Sequence, residues 1–308
     1  MSRLGSRLLP ILLLTGAWAT PVSFGQPLDG TARTAAQPST DIVVFDVYPH
    51  GDHVHVGSVV SVTDRGGYDN QPFFIDEERL FFSSTREGDQ ADVYRFDLFA
   101  EVLEQVTSTP ESEYSPRLTP DGEAISVVRV DLDGATQGLY RIPLDGGDAQ
   151  NLLPDLDDIA YYAWAGPDRV ALFRVGESSG LYLATLSTGE LHHIADHVGR
   201  SLQSIPGTGS VSFVDQSDPE RWFVRRLHGE TGEVETVVDT PPGSVEHAWM
   251  SSSTLIMGHE GALYRYSVGG VEGVWIPLVD LRRYVGPFSR IAVSPSGLRI
   301  GVVTEDGR

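Results

Sequence analysis

Leu118-Thr119-Pro120-Asp121-Gly122-Glu123-Ala124-Ile125 and Val293-Ser294-Pro295-Ser296-Gly297-Leu298-Arg299-Ile300 follow one grammar. An apolar residue leads into a Pro-x-Gly turn, and a strongly apolar stretch follows. Proline presets φ early in such a turn and glycine accepts the positive φ that comes later, so each octet reads as a tight hairpin. Phe74-Ile75-Asp76-Glu77-Glu78-Arg79-Leu80 is the same unit, one residue shorter. The apolar strand after the turn begins at Leu80, Ile125, Val170, Val211, Leu255 and Ile300, at intervals of 45, 45, 41, 44 and 45 residues. That spacing is the period of a propeller blade.

A third strand follows each hairpin: Val93-Tyr94-Arg95-Phe96, Leu139-Tyr140-Arg141-Ile142, Leu181-Tyr182-Leu183-Ala184, Trp222-Phe223-Val224-Arg225 and Leu263-Tyr264-Arg265-Tyr266. Their second places align Tyr94, Tyr140, Tyr182, Phe223 and Tyr264. A more polar fourth strand comes next, as in Glu104 to Thr107, Leu191 to Ala195 and Glu235 to Val238. Four short strands per period, with almost no helical periodicity, predict an all-β fold of six four-stranded blades. The last unit has only its first two strands. Asp41-Ile42-Val43-Val44-Phe45-Asp46-Val47 matches Asp92-Val93-Tyr94-Arg95-Phe96-Asp97-Leu98 place for place. The N-terminal strands are therefore expected to complete the last blade and close the ring without an open edge. Phe74, Leu118, Trp164, Ile205, Trp249 and Val293 align across the units and predict packing between blades.

These residues give the chain a resemblance to the TolB-like six-bladed propellers. It is carried by Tyr68-Asp69-Asn70-Gln71-Pro72, Ser83-Ser84-Thr85-Arg86-Glu87-Gly88, Asp92 to Leu98, Pro116 to Ile125 and Ser294-Pro295-Ser296-Gly297. The first, second and last blades match in motif, the third to fifth mainly in period. TolB itself has an α/β domain before its propeller, and this chain is expected to lack one, so the TolB role in an envelope complex does not transfer whole. The same repeats cap serine peptidases of the prolyl oligopeptidase kind, which need a hydrolase domain after the propeller.

Arg3 and Arg7, the apolar run Leu8 to Trp18 and the small-x-small Ala17-Trp18-Ala19 read as a secretory signal peptide within residues 1–25, cut after Ala19 or Gly25. Residues 26–40 are rich in Gly, Pro, Ala, Thr and Gln and read as a flexible leader. The propeller is expected over 41–308, in the bacterial periplasm or outside the cell, without membrane insertion. No cysteine is present, which removes disulfides, thiolate zinc and thiol catalysis together. A net charge of −21 repels nucleic acid and anionic lipid.

Several motifs carry competing readings. Gly176-Glu177-Ser178-Ser179-Gly180 has the Gly-x-Ser-x-Gly spacing of a nucleophile elbow, which works only on a strained strand-to-helix turn. Here it joins two strands of one blade and reads as a hairpin. His50, His53 and His55, with Asp52 among them, have nitrogen donors suited to zinc, nickel or copper. They also read as the turn Pro49-His50-Gly51-Asp52 and the strand after it. His192, His193 and His197 are adjacent or in a following loop and make a weaker metal candidate than the first group. Asp131-Leu132-Asp133-Gly134 and Asp155-Leu156-Asp157-Asp158 lack the distal Glu of a calcium loop and read as acidic turns. The lactonase-like propellers, enzymatic relatives by shape, hold a channel metal with Glu, Asn and Asp. The innermost strands here offer only Glu246 as a carboxylate, with Arg290 in the same layer.

The expectation is a binding module without catalytic residue, metal or cofactor; a metal-dependent, lactonase-like hydrolase is the alternative. The expected site is the channel mouth, where each first strand begins, formed by Tyr68, Asp69, Asn70, Gln71, Tyr114, Tyr161, Glu246, His247 and Arg290. Mixed aromatic and polar groups around a concavity suit a peptide tail or a small polar ligand, and the partner expected is an envelope protein or peptide.

Overall fold

The computed structural model describes residues 38–50, 53–86, 88, 90–270 and 273–305. The expected signal peptide and most of the leader lie outside them. Twenty-four strands follow one another: β1 (Thr40–His50) and β2 (His53–Ser61), then β3 (Asp69–Phe74), β4 (Arg79–Ser84), β5 (Asp92–Asp97) and β6 (Val102–Gln105) as the first blade. The second blade holds β7 (Ser112–Leu118), β8 (Ala124–Val130), β9 (Gln137–Pro143) and β10 (Gln150–Asn151). The third holds β11 (Ile159–Trp164), β12 (Arg169–Arg174), β13 (Gly180–Thr185) and β14 (Glu190–Ala195). The fourth holds β15 (Gln203–Ile205), β16 (Ser210–Asp215), β17 (Phe223–His228) and β18 (Val234–Asp239). The fifth holds β19 (His247–Ser251), β20 (Thr254–His259), β21 (Ala262–Ser267) and β22 (Ile276–Asp280), and β23 (Phe288–Val293) and β24 (Arg299–Glu305) come last.

The strands form six four-stranded antiparallel sheets, the sixth ordered β2-β1-β24-β23. In it Asp41 stands opposite Thr304 and Val43 opposite Val302, the places that Asp92 and Tyr94 take against Ser84 and Phe82 in the first blade. The hairpin turns are made as their residues dictate. The Gly122 N–H donates to the Thr119 carbonyl at 2.9 Å with Gly122 at φ 75°, and Gly297 repeats this against Ser294 at φ 75°.

Apolar side chains fill the six seams between neighbouring blades. Val43, Phe45, Ile300 and Val302 pack on Ile256 and Leu263 of the fifth blade, while Ile42, Val44 and Val303 pack on Leu80 and Phe82 of the first. Clusters of the same kind fill the other four seams. Each blade buries both faces, so the repeat has no core of its own and gains stability only by stacking.

Two alignments need correction, both in the fourth blade. Tyr94, Tyr140, Tyr182 and Tyr264 share one ladder position, but there the fourth blade has Arg225, opposite Phe213. Phe223 lies two places earlier, opposite Asp215. The connection over 216–222 delivers its aromatic residue at the loop end, and the Arg225 guanidinium lies 5.2 Å from the Phe223 ring centre. Likewise Ser204, opposite Val211, holds the place of Phe74, Leu118, Trp164, Trp249 and Val293; Ile205 is one residue further on and still buried.

Candidate functional site

The first strands of neighbouring blades approach one another, β3 beside β7 and β23, and β19 beside β15 and β23. They therefore surround the axis. Asn70, Tyr114, Tyr161 and Ser289 each sit opposite the same place on the second strand (Ser83, Val128, Phe173 and Val303). Directly after Asn70, Tyr114 and Ser289 the ladder bulges, whereas in the third blade the irregularity falls before Tyr161, between it and Ile159. Gln71, Ser115 and Arg290 take left-handed backbone at φ 59°, 54° and 54°. Such a conformation costs a residue with a Cβ roughly 1–2 kcal/mol. Two hydrogen bonds offset it in the first blade: Asn70 Oδ1 accepts the Gln71 N–H at 2.8 Å, and Gln71 Oε1 accepts the Ser115 N–H of the next blade at 2.7 Å.

Tyr68, Tyr114, Tyr161, Glu246 and Arg290 gather at this mouth. The rings of Tyr68 and Tyr114 meet edge to face at 6.1 Å. The Arg290 guanidinium lies 5.4 Å from the Tyr161 ring centre. Burial pulls the Arg290 pKa down, but Glu246 and the hydroxyls of Tyr161 and Tyr68 outweigh it and leave the group above its ordinary value. Glu246 Oε1 accepts from Arg200 Nε at 3.1 Å. Burial drives the Tyr68 hydroxyl well above the usual phenol range, so it stays a neutral donor.

Two of the expected mouth residues turn elsewhere. Asp69 is fully buried and points into its own blade, where Ser84 Oγ donates to Oδ1 and Arg65 Nη1 to Oδ2, the latter at 3.2 Å. Burial raises its pKa despite these partners. His247 is also fully buried; Nε2 is 2.8 Å from Ser212 Oγ of the fourth blade, and burial lowers its pKa to about 4. It belongs to a seam. Asn70 is held back by Thr40, whose Oγ1 accepts from Nδ2 at 3.4 Å.

Arg117 is a residue that the sequence reading missed. From the second blade its Nη2 reaches the Leu202 carbonyl at the entrance of the fourth, 3.0 Å away. Its guanidinium lies 5.9 Å from the Phe73 ring centre and 5.8 Å from that of Tyr162. Arg117 thus spans from the second blade to the fourth, between aromatic rings of the first and third. The signal was its ladder place, opposite Ser126, which alanine occupies in three other blades: Ala163, Ala248 and Ala292. A cleft of about 510 Å³ lies off the axis between the third and fourth blades, lined by Phe173, Asp196, His197 and Trp222.

The remaining candidates resolve into local structure. Gly176–Ser178 is a 3-10 turn between β12 and β13 of one blade. The rings of His50 and His55 lie 4.6 Å apart, and His53 Nδ1 is 3.3 Å from the Pro277 carbonyl; Asp52 lies outside the described residues. Asp133 Oδ1 accepts the N–H groups of Ala135 and Thr136 at 2.8 and 2.9 Å, and Asp158 pairs with Arg174 at 2.7 Å. Among the described residues no three His, Asp or Glu side chains form a metal-binding group, and no helix is long and apolar enough to cross a membrane.

Six antiparallel sheets around an axis, with an aromatic and charged mouth, define a six-bladed β-propeller. Its fold is that of the TolB propellers. A protein from Agrobacterium tumefaciens, provisionally named TolB, superposes with a TM-score of 0.64 at 14% identity, over 88% of this chain and 99% of that one. TolB from Acinetobacter baumannii gives 0.56 at 14% identity, over 88% of this chain and 65% of that one. A protein provisionally named a gluconolactonase gives 0.57 at 11% identity, over 85% and 94%. At such identities the likeness establishes the fold alone. No protein-family model and no curated protein sequence matches the chain.

Proposed function

We propose that this protein is an exported, non-enzymatic binding module of the bacterial envelope that holds a protein or peptide at its axial mouth. One observation carries the reading. Positions that share a ladder place in the core repeat their apolar character, whereas the ring reads Asn70, Tyr114, Tyr161 and Ser289, with Glu246 and Arg290 beside it, and only the tyrosine recurs. Packing symmetry gives no reason for such variety; recognition does. Partly exposed tyrosines and an arginine are the residue types that anchor partners. The likeness to TolB propellers supports a binding role and a periplasmic setting.

The test is capture from envelope extract on the immobilised protein, followed by mass spectrometry and affinity measurement. Tyr161→Ala and Arg290→Lys are each expected to weaken the captured partner by about 1–3 kcal/mol with little change in melting temperature. Unchanged affinity in both would move the site to the off-axis cleft beside Trp222.

A further inference from the structure

Arg117 and Arg290 both lie deep in the fold, yet neither is sealed. Both keep part of their surface accessible, and none of their nitrogens is among the buried atoms left without a partner. Arg117 spends one donor on the Leu202 carbonyl. A guanidinium has five N–H donors in a rigid fork, so the others face the axial space. Neither arginine has a carboxylate within ion-pair distance among the described residues. The single acid of the mouth, Glu246, is already taken by Arg200 at 3.1 Å. Arg290 and Arg117 repel one another, and burial pushes the Arg117 pKa down further.

Three guanidiniums, Arg117, Arg200 and Arg290, thus share the one carboxylate of Glu246, and buried positive charge in excess of its counter-charge is costly unless something else supplies the balance. The rest of the molecule makes the arrangement more pointed, because the chain as a whole carries −21. Positive charge has been placed at the one spot enclosed by every blade, in an otherwise acidic protein. The walls are aromatic, with Phe73 and Tyr162 against Arg117 and Tyr161 against Arg290, which favours an anion attached to carbon over a bare hydrated ion.

We propose that the axial channel grips an organic carboxylate between Arg117 and Arg290, supplied by an acidic side chain or the chain terminus of the partner. The inference rests on the mouth being the binding site. It predicts that the two forks bind the carboxylate oxygens while the aromatic rings cover its carbon chain.

The experiment uses glutarate, its uncharged analogue glutaramide and inorganic phosphate, each titrated by calorimetry and by melting temperature. Glutarate is expected to bind and raise the melting temperature, glutaramide to do neither, and phosphate to bind more weakly than glutarate. Arg117→Met and Arg290→Met should each weaken glutarate binding by about tenfold or more, while Arg282→Met, at an exposed pair with Asp280, should leave it unchanged. Arg117→Lys keeps the charge but loses the fork; it should weaken glutarate severalfold, and it decides the matter if the methionine variant does not fold. No response of the wild type to millimolar glutarate, equal binding of phosphate, or full binding by the arginine variants would each overturn the proposal. If glutarate fails while Tyr161→Ala still weakens the captured partner, the mouth remains the site and only the carboxylate is lost.

Discussion

The seam between the second and third blades and the seam between the fourth and fifth share one plan with a single part exchanged. In the first, Trp164 Nε1 donates to Ser126 Oγ at 2.9 Å, and the Tyr162 hydroxyl lies 2.8 Å from the same oxygen. In the second, Trp249 Nε1 donates to Ser212 Oγ at 2.8 Å, and His247 Nε2 lies 2.8 Å from it. Each serine follows the first apolar residue of a second strand, and each donates on to the backbone carbonyl at one ladder place, Arg117 or Gln203. The exchanged part is tyrosine for histidine. Burial drives the Tyr162 hydroxyl far above neutrality and so leaves it neutral at any ordinary pH. Burial lowers His247 to about 4, so that seam contains a group that titrates under mild acid. Equal geometry has been given unequal chemistry, and the difference should be measurable.

The largest effect tests whether either seam can stand without the ring. Removing Asp41 to Thr63 takes β1 and β2 from the sixth sheet and strips Val43, Phe45, Ile42 and Val44 from two other seams. The truncated protein is expected to lose cooperative melting and elute as aggregate. A monomer with a sharp transition would show that each seam is self-sufficient. Next in size, Trp164→Ala and Trp249→Ala should each cost about 3–5 kcal/mol in denaturant melts, as large aromatic deletions do. A cost confined to one of them would break the equivalence of the seams.

Acid separates the two most sharply. Between pH 6.5 and about 4 the unfolded chain binds a proton at His247 that the folded chain refuses. Stability from this site is therefore complete above pH 6.5 and falls as the pH drops toward 4, by about 3 kcal/mol in all. His247→Gln should flatten that part of the stability profile relative to the wild type, while Tyr162→Phe should leave its slope unchanged. Parallel profiles for the wild type and His247→Gln would show that the histidine is already charged in the fold.

Much of this was legible because it repeats. The period, the Pro-x-Gly turns and the alternation around Leu80, Ile125 and Ile300 are local, and six copies average out the noise of any one. The mouth ring was legible for the same reason: Asn70, Tyr114, Tyr161 and Glu246 could be placed by counting back from the core positions. What counting could not give was the direction of a side chain. His247 is adjacent to Glu246, yet a strand sends successive side chains to opposite sides, and His247 went into the seam. Arg117 was hidden by length, since its reach to Leu202 depends on a long side chain crossing space left by alanines. The shifts of Phe223 and Ile205 arise where the fourth blade has its long 216–222 connection and a first strand of three residues, so the period itself loses phase.

The sixth sheet also bears on when the molecule can finish folding. Thr304 and Asp41, whose side chain and carbonyl come within 3.5 Å, are 263 residues apart in sequence. Bringing the ends of a loop that long together costs about 5 kcal/mol of chain entropy before any pairing returns it, and such long-range pairing is slow. Until β24 pairs with it, β1 keeps one edge without a ladder partner. Five blades can stack in the meantime, but two of their apolar faces stay bare. The interval between the first strand and the last is therefore when proteases and aggregation compete for this protein, and a chaperone that shielded the free edge of β1 would act on its yield while leaving its final stability untouched.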